Sequence, residues 1–142
     1  MINVLLADDH RIVRESLRFI LEAPGDLQVA ALAANGQEAV EQARHGCPDV
    51  AVSDVSMPVM DGIEAARQIH VNCPHTPVLM LSMYNTPEYV LRALKAGASG
   101  YMLKDAAGNE LVEAVRLLQK GESYFSPSIA EIVRQARKKD NE

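Results

Sequence analysis

The chain predicts an open α/β domain: a five-stranded parallel sheet with helices on both faces. Three observations carry this. Apolar runs of four to seven residues alternate with longer segments of helical period, the signature of βα units. Glycines and a Pro-Gly pair punctuate the helical segments where helices should stop. Four of the apolar runs also end on a polar or charged residue, at the strand ends where open α/β sheets build their sites.

Ile2 to Ala7 is the first strand. The segment from His10 to Glu22 follows as a helix, with Ile12, Val13, Leu17, Ile20 and Leu21 at helical spacing and Pro24-Gly25 as its stop. Leu27 to Ala33 is the second strand. Gly36 to His45 is the second helix, Ala39, Val40 and Ala43 facing inward and Gly46 at its C-cap. Val50 to Ser53 is the third strand, Met57 to Gly62 a loop, and Ile63 to Val71 the third helix. Pro77 to Leu81 is strand four, Pro87 to Lys95 a short helix stopped by Gly97, and Ser99 to Leu103 strand five. Asn109 to Gln119 makes the fifth helix, striped with Leu111, Val112, Val115 and Leu118 and ended by Gly121. Five such units fit the flavodoxin-like order 2-1-3-4-5, which opens a crevice between strands one and three.

Residues 122–142 differ in character. Ser126 reads as an N-cap with Pro127 at the first helical position. Ile129, Ile132, Val133 and Ala136 then form a narrow stripe, and Arg134, Arg137, Lys138 and Lys139 crowd the end, where cations suit a helix C-terminus. The expected organisation is one domain over 1–121 and a linker helix over 122–142.

At 142 residues the chain suits a single domain. Aromatics are 4% with no Trp, so the core must be aliphatic and Ala-rich. Residues 1–120 carry 10 Lys/Arg against 15 Asp/Glu, and 121–142 carry 4 against 4, so the net charge of −5 lies in the first part. That distribution argues against nucleic-acid binding by the domain itself, which would need a basic face. Cys47 and Cys73 form no CxxC pair and are expected as two buried, reduced thiols. No basic n-region opens the chain and no apolar run approaches ~18 residues, so a soluble cytoplasmic protein without membrane contact is expected.

The chemistry lies at the strand ends. Asp8 and Asp9 close the first apolar run, Asp54 the third, Ser82 the fourth and Lys104 the fifth. Three carboxylates, a hydroxyl and an ammonium brought together suit one divalent cation and one phosphoryl group. A carboxylate attacks phosphate poorly unless anionic repulsion is cancelled, and Mg²⁺ does this through hard oxygen ligands. Asp54 can then be the nucleophile, Asp8 and Asp9 the metal carriers, and Lys104 and Ser82 the contacts to phosphoryl oxygens. An acidic pair alone could merely cap a helix; the reading rests on all four strand ends agreeing.

The motifs Ala-Asp-Asp-His (7–10), Ser-Asp-Val-Ser-Met-Pro-Val-Met-Asp-Gly (53–62), Leu-Ser-Met-Tyr (81–84) and Lys-Ala-Gly-Ala-Ser-Gly-Tyr-Met-Leu-Lys-Asp (95–105) carry a resemblance. Over residues 2–121 the chain resembles a receiver domain of two-component response regulators, of the NarL/FixJ (LuxR-type) kind. The resemblance implies Asp54 as phosphoacceptor and a histidine kinase as donor. It implies Asp9, Asp54 and the Ser56 carbonyl as Mg²⁺ ligands, Asp8 acting through water, and Lys104 pairing with the phosphoryl group. Ser82 and Tyr101 become the switch pair, the hydroxyl moving to the phosphoryl group and the ring turning inward. A phosphorylation-dependent dimer is implied. So is a C-terminal helix-turn-helix that binds DNA and controls transcription, missing from this chain.

Gly62 and Pro58 are expected to shape the loop after Asp54, glycine through its conformational freedom and proline through its fixed φ. His10 lines the rim in this family, and Met57, Met60, Met83 and Met102 are expected to pack the loop side and core. Many receivers place a cis-proline after the lysine; here Asp105 follows, and a non-proline cis bond costs ~2.5–4 kcal/mol, which leaves the geometry at Lys104 open. Two other readings use the same residues. A Mg²⁺-dependent phosphatase with an aspartyl nucleophile would need Asp-x-Asp at the first strand, which Asp8-Asp9-His10 does not match. A phosphate-independent docking module would not need the complete acidic set.

Overall fold

The structure, a computed structural model, describes residues 1–140. Strands and helices alternate as β1 (Ile2–Ala7), α1 (Arg11–Glu22), β2 (Leu27–Ala33), α2 (Gly36–His45), β3 (Val50–Asp54), α3 (Gly62–Asn72), β4 (Val78–Ser82), α4 (Pro87–Lys95) and β5 (Gly100–Leu103). A 3-10 turn over Lys104–Ala106 leads into α5 (Ala107–Gln119), followed by β6 (Tyr124–Phe125) and α6 (Pro127–Asp140). The sheet is parallel throughout, in the order β2-β1-β3-β4-β5-β6. The predicted order is therefore observed, with β6 added at the β5 edge. Two residues carry no periodicity, so β6 has no signal in the sequence. Among the described residues, no helix is long and apolar enough to cross a membrane.

Alternation along the strands splits the core into two layers. Val4, Leu6, Val50, Val52, Leu79 and Leu81 pack with Leu17 and Leu21 of α1 and with Leu111, Val115 and Leu118 of α5. Leu5, Ala7, Ala51 and Met80 face α2, α3 and α4, joined by Ile129 and Val133 of α6. Each large side chain fully buried this way contributes roughly 1.5–3 kcal/mol. Two helix ends need glycine: Gly97 after α4 has φ 101° and Gly121 after α5 has φ 91°, both left-handed.

Several expectations are corrected. Ile12 points to solvent, 82% exposed, because the buried stripe of α1 runs through Leu17 and Leu21 with Val13 and Ile20 half-buried beside them. Met83 is likewise exposed rather than packed. Ser126 does hold the expected N-cap position before Pro127, its carbonyl accepting the Ala130 N–H at 2.8 Å, while its hydroxyl accepts the Leu103 N–H at 3.2 Å and so ties the helix entry to β5. Cys47 and Cys73 are joined by a disulfide, their Cα atoms 5.7 Å apart. Cys47 is exposed on the loop after α2, and Cys73 is the buried C-cap of α3. Two successive crossover helices end at the same pole of the sheet, which brings together cysteines that look unrelated in sequence.

The loop from β3 to α3 is held by close backbone approach. Gly62 N–H donates to the Val55 carbonyl at 2.8 Å, and Gly36 N–H to the Met60 carbonyl at 3.0 Å. A Cβ on Gly62 would fall 1.8 Å from the Asp54 carbonyl oxygen, so glycine is required here for space. The left-handed residue of this loop is Val59, with φ 69°.

Two predictions follow from this packing. Gly62→Ala must push the Asp54 backbone aside and should cost about 1–3 kcal/mol in denaturant unfolding. Asp26 and Arg116 form a two-pronged bridge, both contacts 2.9 Å, between the turn before β2 and α5. The guanidinium holds the Asp26 carboxyl below its ordinary value. A carboxyl depressed in the folded state stabilises above its unfolded pKa, and loses that contribution as pH falls through the folded value. Asp26→Asn should therefore lower the thermal midpoint at neutral pH, and the gap to the parent should close on acidification below the ordinary aspartate range.

Candidate functional site

Strand register brings the predicted residues together. β1 pairs with β3 through Ala7 and Ser53, β3 with β4 through Asp54 and Leu81, and β4 with β5 through Ser82 and Leu103. Asp8 and Asp9 thus leave β1 beside Asp54 at the end of β3, and Ser82 and Lys104 stand at the next two strand ends. This is the carboxyl edge of the sheet, as expected.

Asp8 is fully buried. Its Oδ1 accepts the His10 N–H at 2.9 Å, and its carbonyl accepts Arg14 Nη1 at 2.7 Å. Arg14, one turn into α1, thereby fixes the Asp8 backbone; sequence reading did not find this contact. Asp54 is also buried, and its Oδ1 accepts the Ser56 N–H at 3.3 Å. Lys104 Nζ reaches into the pocket from the 3-10 turn after β5, donating to Asp54 Oδ2 at 2.9 Å and to Asp8 Oδ2 at 3.1 Å. No peptide bond among the described residues is cis, the Lys104–Asp105 bond included.

Burial raises the Asp54 pKa; the Lys104 ammonium opposes that shift without cancelling it, and Asp8 adds repulsion. Burial alone would pull Lys104 down, but the Asp54 and Asp8 carboxylates outweigh it and hold the ammonium above its ordinary pKa. Lys104 faces two of the three carboxylates, Asp8 and Asp54, and leaves Asp9 unmatched, so with all acids ionised the carboxylates outnumber the one ammonium among them.

Asp9 Oδ1 is buried without a hydrogen-bond partner among the described residues. His10 Nδ1 stands 3.2 Å from that oxygen without forming a hydrogen bond, on a side chain mostly in solvent. A ligand atom from each of Asp8, Asp9, His10 and Asp54 lies within 4.8 Å of the others. The carboxylate oxygens are the hard donors that Mg²⁺ takes, and an orphaned buried oxygen is what such an ion would satisfy. The residues fit the group. His10 stays at the rim.

Ser82 is buried, and its hydroxyl accepts the Tyr84 N–H at 2.9 Å instead of bonding Asp54. Tyr101 is fully buried, its ring in the core and its hydroxyl donating to the Tyr84 carbonyl at 2.8 Å. Burial raises its pKa. Tyr84 thus links Ser82 and Tyr101 through its two backbone groups, and its ring stacks on Tyr89 at 5.0 Å. Backbone groups leave no mark in a sequence, so this link was invisible there. A cleft of about 130 Å³, lined by Ser82, Met83, Leu103, Lys104 and Asp105, opens beside the ammonium.

A family described as the response regulator receiver domain matches residues 4–116. The uncharacterized transcriptional regulatory protein YxjL of Bacillus subtilis is 41% identical over 124 residues, 87% of this chain and 57% of YxjL. The crystal structure of a LuxR-family two-component response regulator from Aurantimonas sp. SI85-9A1 superposes with a TM-score of 0.90 at 36% identity, covering 96% of this chain and 98% of that one. A structure of two RcsB dimers bound to two parallel DNAs superposes at 0.82 with 28% identity, covering 94% of this chain and 65% of the RcsB chain. The chain therefore spans less than two thirds of YxjL and of RcsB. With an acidic pocket at the carboxyl edge and a match over most of its length, the chain belongs to the response regulator receiver domain family.

Proposed function

We propose that this domain is a phosphorylation switch in which Asp54 accepts a phosphoryl group from a histidine kinase with Mg²⁺ bound. The observation that carries the reading is the pairing of Lys104 with both Asp54 and Asp8 beside the partnerless oxygen of Asp9. Asp9, Asp54 and the Ser56 carbonyl would hold the ion, with Asp8 acting through water. Bound there, Mg²⁺ supplies the charge neutralisation that lets a carboxylate approach a phosphoryl group. In the transfer, the phosphorus–nitrogen bond of the donor breaks as an Asp54 oxygen bonds phosphorus, and the imidazole leaves with a proton. The chain is a switch and not a turnover enzyme, since the product is the modified protein itself.

A phosphoryl group adds about −1.5 to −2 charges and strong acceptors. Lys104 follows the new charge, and Ser82 gives up the Tyr84 N–H to bond a phosphoryl oxygen. Tyr84 also accepts the hydroxyl of Tyr101, whose ring already lies inward here, so of the switch pair Ser82 would be the member that moves. Lys104 follows Leu103, whose N–H is held by Ser126, so a shift at the site reaches the entry of α6. The free energy of the change comes from contacts that differ between the two states. Loop 83–88, α4, β5 and α5 would then offer a face to a second copy.

We take the first 121 residues as the receiver and residues 122–142, whose β6 pairs with β5 and whose α6 packs into the core beside α4, as the segment that leads toward a DNA-binding domain outside this sequence. The DNA-bound RcsB dimers and the transcriptional name of YxjL support a cytoplasmic regulator of transcription. Incubation with Mg²⁺ and a small phosphodonor such as acetyl phosphate should label about one equivalent per chain, and a chelator added before the phosphodonor should prevent the labelling. Asp54→Asn should abolish the label with the fold intact. Labelling that persists in that variant, or many turnovers of phosphodonor per chain, overturns the reading.

A further inference from the structure

We propose that Cys47–Cys73 is a reversible redox modification site, opened by a dithiol reductant and closed by a small-molecule disulfide. The bond joins the C-terminal ends of α2 and α3, at the pole of the sheet opposite Asp54. Its two halves differ in access. Cys73 is buried at the end of α3, whereas Cys47 is exposed and lines two open clefts of about 450 and 340 Å³. Exposed disulfides are the labile and regulatory ones, and in a reducing compartment they serve redox sensing. That second premise rests on the cytoplasmic reading above.

Both redox states are accommodated. The Cα separation of 5.7 Å lies inside the range that a disulfide bridges without backbone movement. For the open state, Cys73 Sγ lies 3.5 Å from the Ala43 carbonyl oxygen and Cys47 Sγ 4.0 Å from that of Asn72. Each thiol would therefore find an acceptor for its S–H.

In the opening step, a thiolate of the reductant attacks Cys47 Sγ, the Cys47–Cys73 bond breaks, and Cys73 leaves as a thiolate that takes a proton. The second thiol of the reductant then attacks the mixed disulfide, releasing Cys47 as a thiol and the reductant as its own disulfide. Two electrons pass from reductant to protein. Closure reverses this with a disulfide such as oxidised glutathione, which leaves as two thiols.

The site reaches α4 through α3. His70, in the last turn of α3, packs under Gly97, where an added Cβ would lie 2.8 Å from His70 Cγ. The disulfide thus adds a covalent tie to the core-packed strut beneath the end of α4, and reduction removes that tie.

The full chain, equilibrated in glutathione buffers of graded ratio, quenched in acid and alkylated after denaturation, reads this directly by mass. The expected result is a single reversible transition between no adducts and two. Oxidised glutathione should also form a mixed disulfide, releasing one reduced glutathione, with Cys47 in Cys73→Ser at least about tenfold faster than with Cys73 in Cys47→Ser, reflecting its access. Amide exchange over 93–99 should quicken in the reduced protein. Two adducts in every oxidising buffer, none in every reducing buffer, or equal rates at the two cysteines overturns the proposal; unchanged exchange over 93–99 removes its link to α4. Thiol counts do not involve Asp54, so this result and that of the labelling experiment stand apart.

Discussion

One ammonium between two buried carboxylates organises this molecule. Lys104 Nζ donates to Asp54 and Asp8 at 2.9 and 3.1 Å, from a position 50 residues beyond the first and 96 beyond the second. Removing charges from water costs several kcal/mol per ion even after relaxation, and a pair offsets this only with good geometry. Lys104 meets that condition for Asp54 and Asp8. Asp9 stays outside the arrangement, with a buried oxygen that has no hydrogen-bond partner among the described residues and only the exposed His10 imidazole nearby. The unbalanced charge and the orphaned acceptor point to the same completing ligand, a small divalent cation.

The fold serves that arrangement. Parallel strands end on one edge, so a register fixed by β1, β3, β4 and β5 delivers Asp8, Asp54, Ser82 and Lys104 to one rim. Glycines at 36 and 62 let helix starts and the loop after Asp54 touch backbone to backbone, which stiffens that side. The other side is built differently. Tyr84 bridges Ser82 and Tyr101, and Ser126 ties β5 to α6, through single hydrogen bonds that the proposed phosphoryl group at Asp54 would rearrange. The α2–α3 side is thus braced backbone to backbone, while the α4–β5–α6 side adds single side-chain hydrogen bonds to its sheet pairing and core packing.

Much of this was legible in the residues. Strand ends carrying Asp, Ser and Lys announce a shared pocket because parallel topology forces convergence, and helical stripes such as Leu111, Val115 and Leu118 place α5 directly. What escaped was of two kinds. Contacts made by backbone, such as those of Tyr84, carry no side-chain signature, nor does the hydroxyl of Ser126 reveal which N–H it will meet. Pairings across the fold depend on where elements end in space: Cys47 meets Cys73 only because α2 and α3 finish together. Ile12 and Met83 show a third limit, since hydrophobicity alone does not say which side of a helix or loop faces water.

The most direct measurement is calorimetric titration of the full chain with magnesium chloride, for the parent and for Asp9→Asn. If the acidic pocket is built for a divalent cation, the parent binds about one Mg²⁺ per chain and the variant, stripped of the one carboxylate that Lys104 does not engage, loses most of that affinity. Binding of equal strength in both proteins, or none in the parent, would contradict the account.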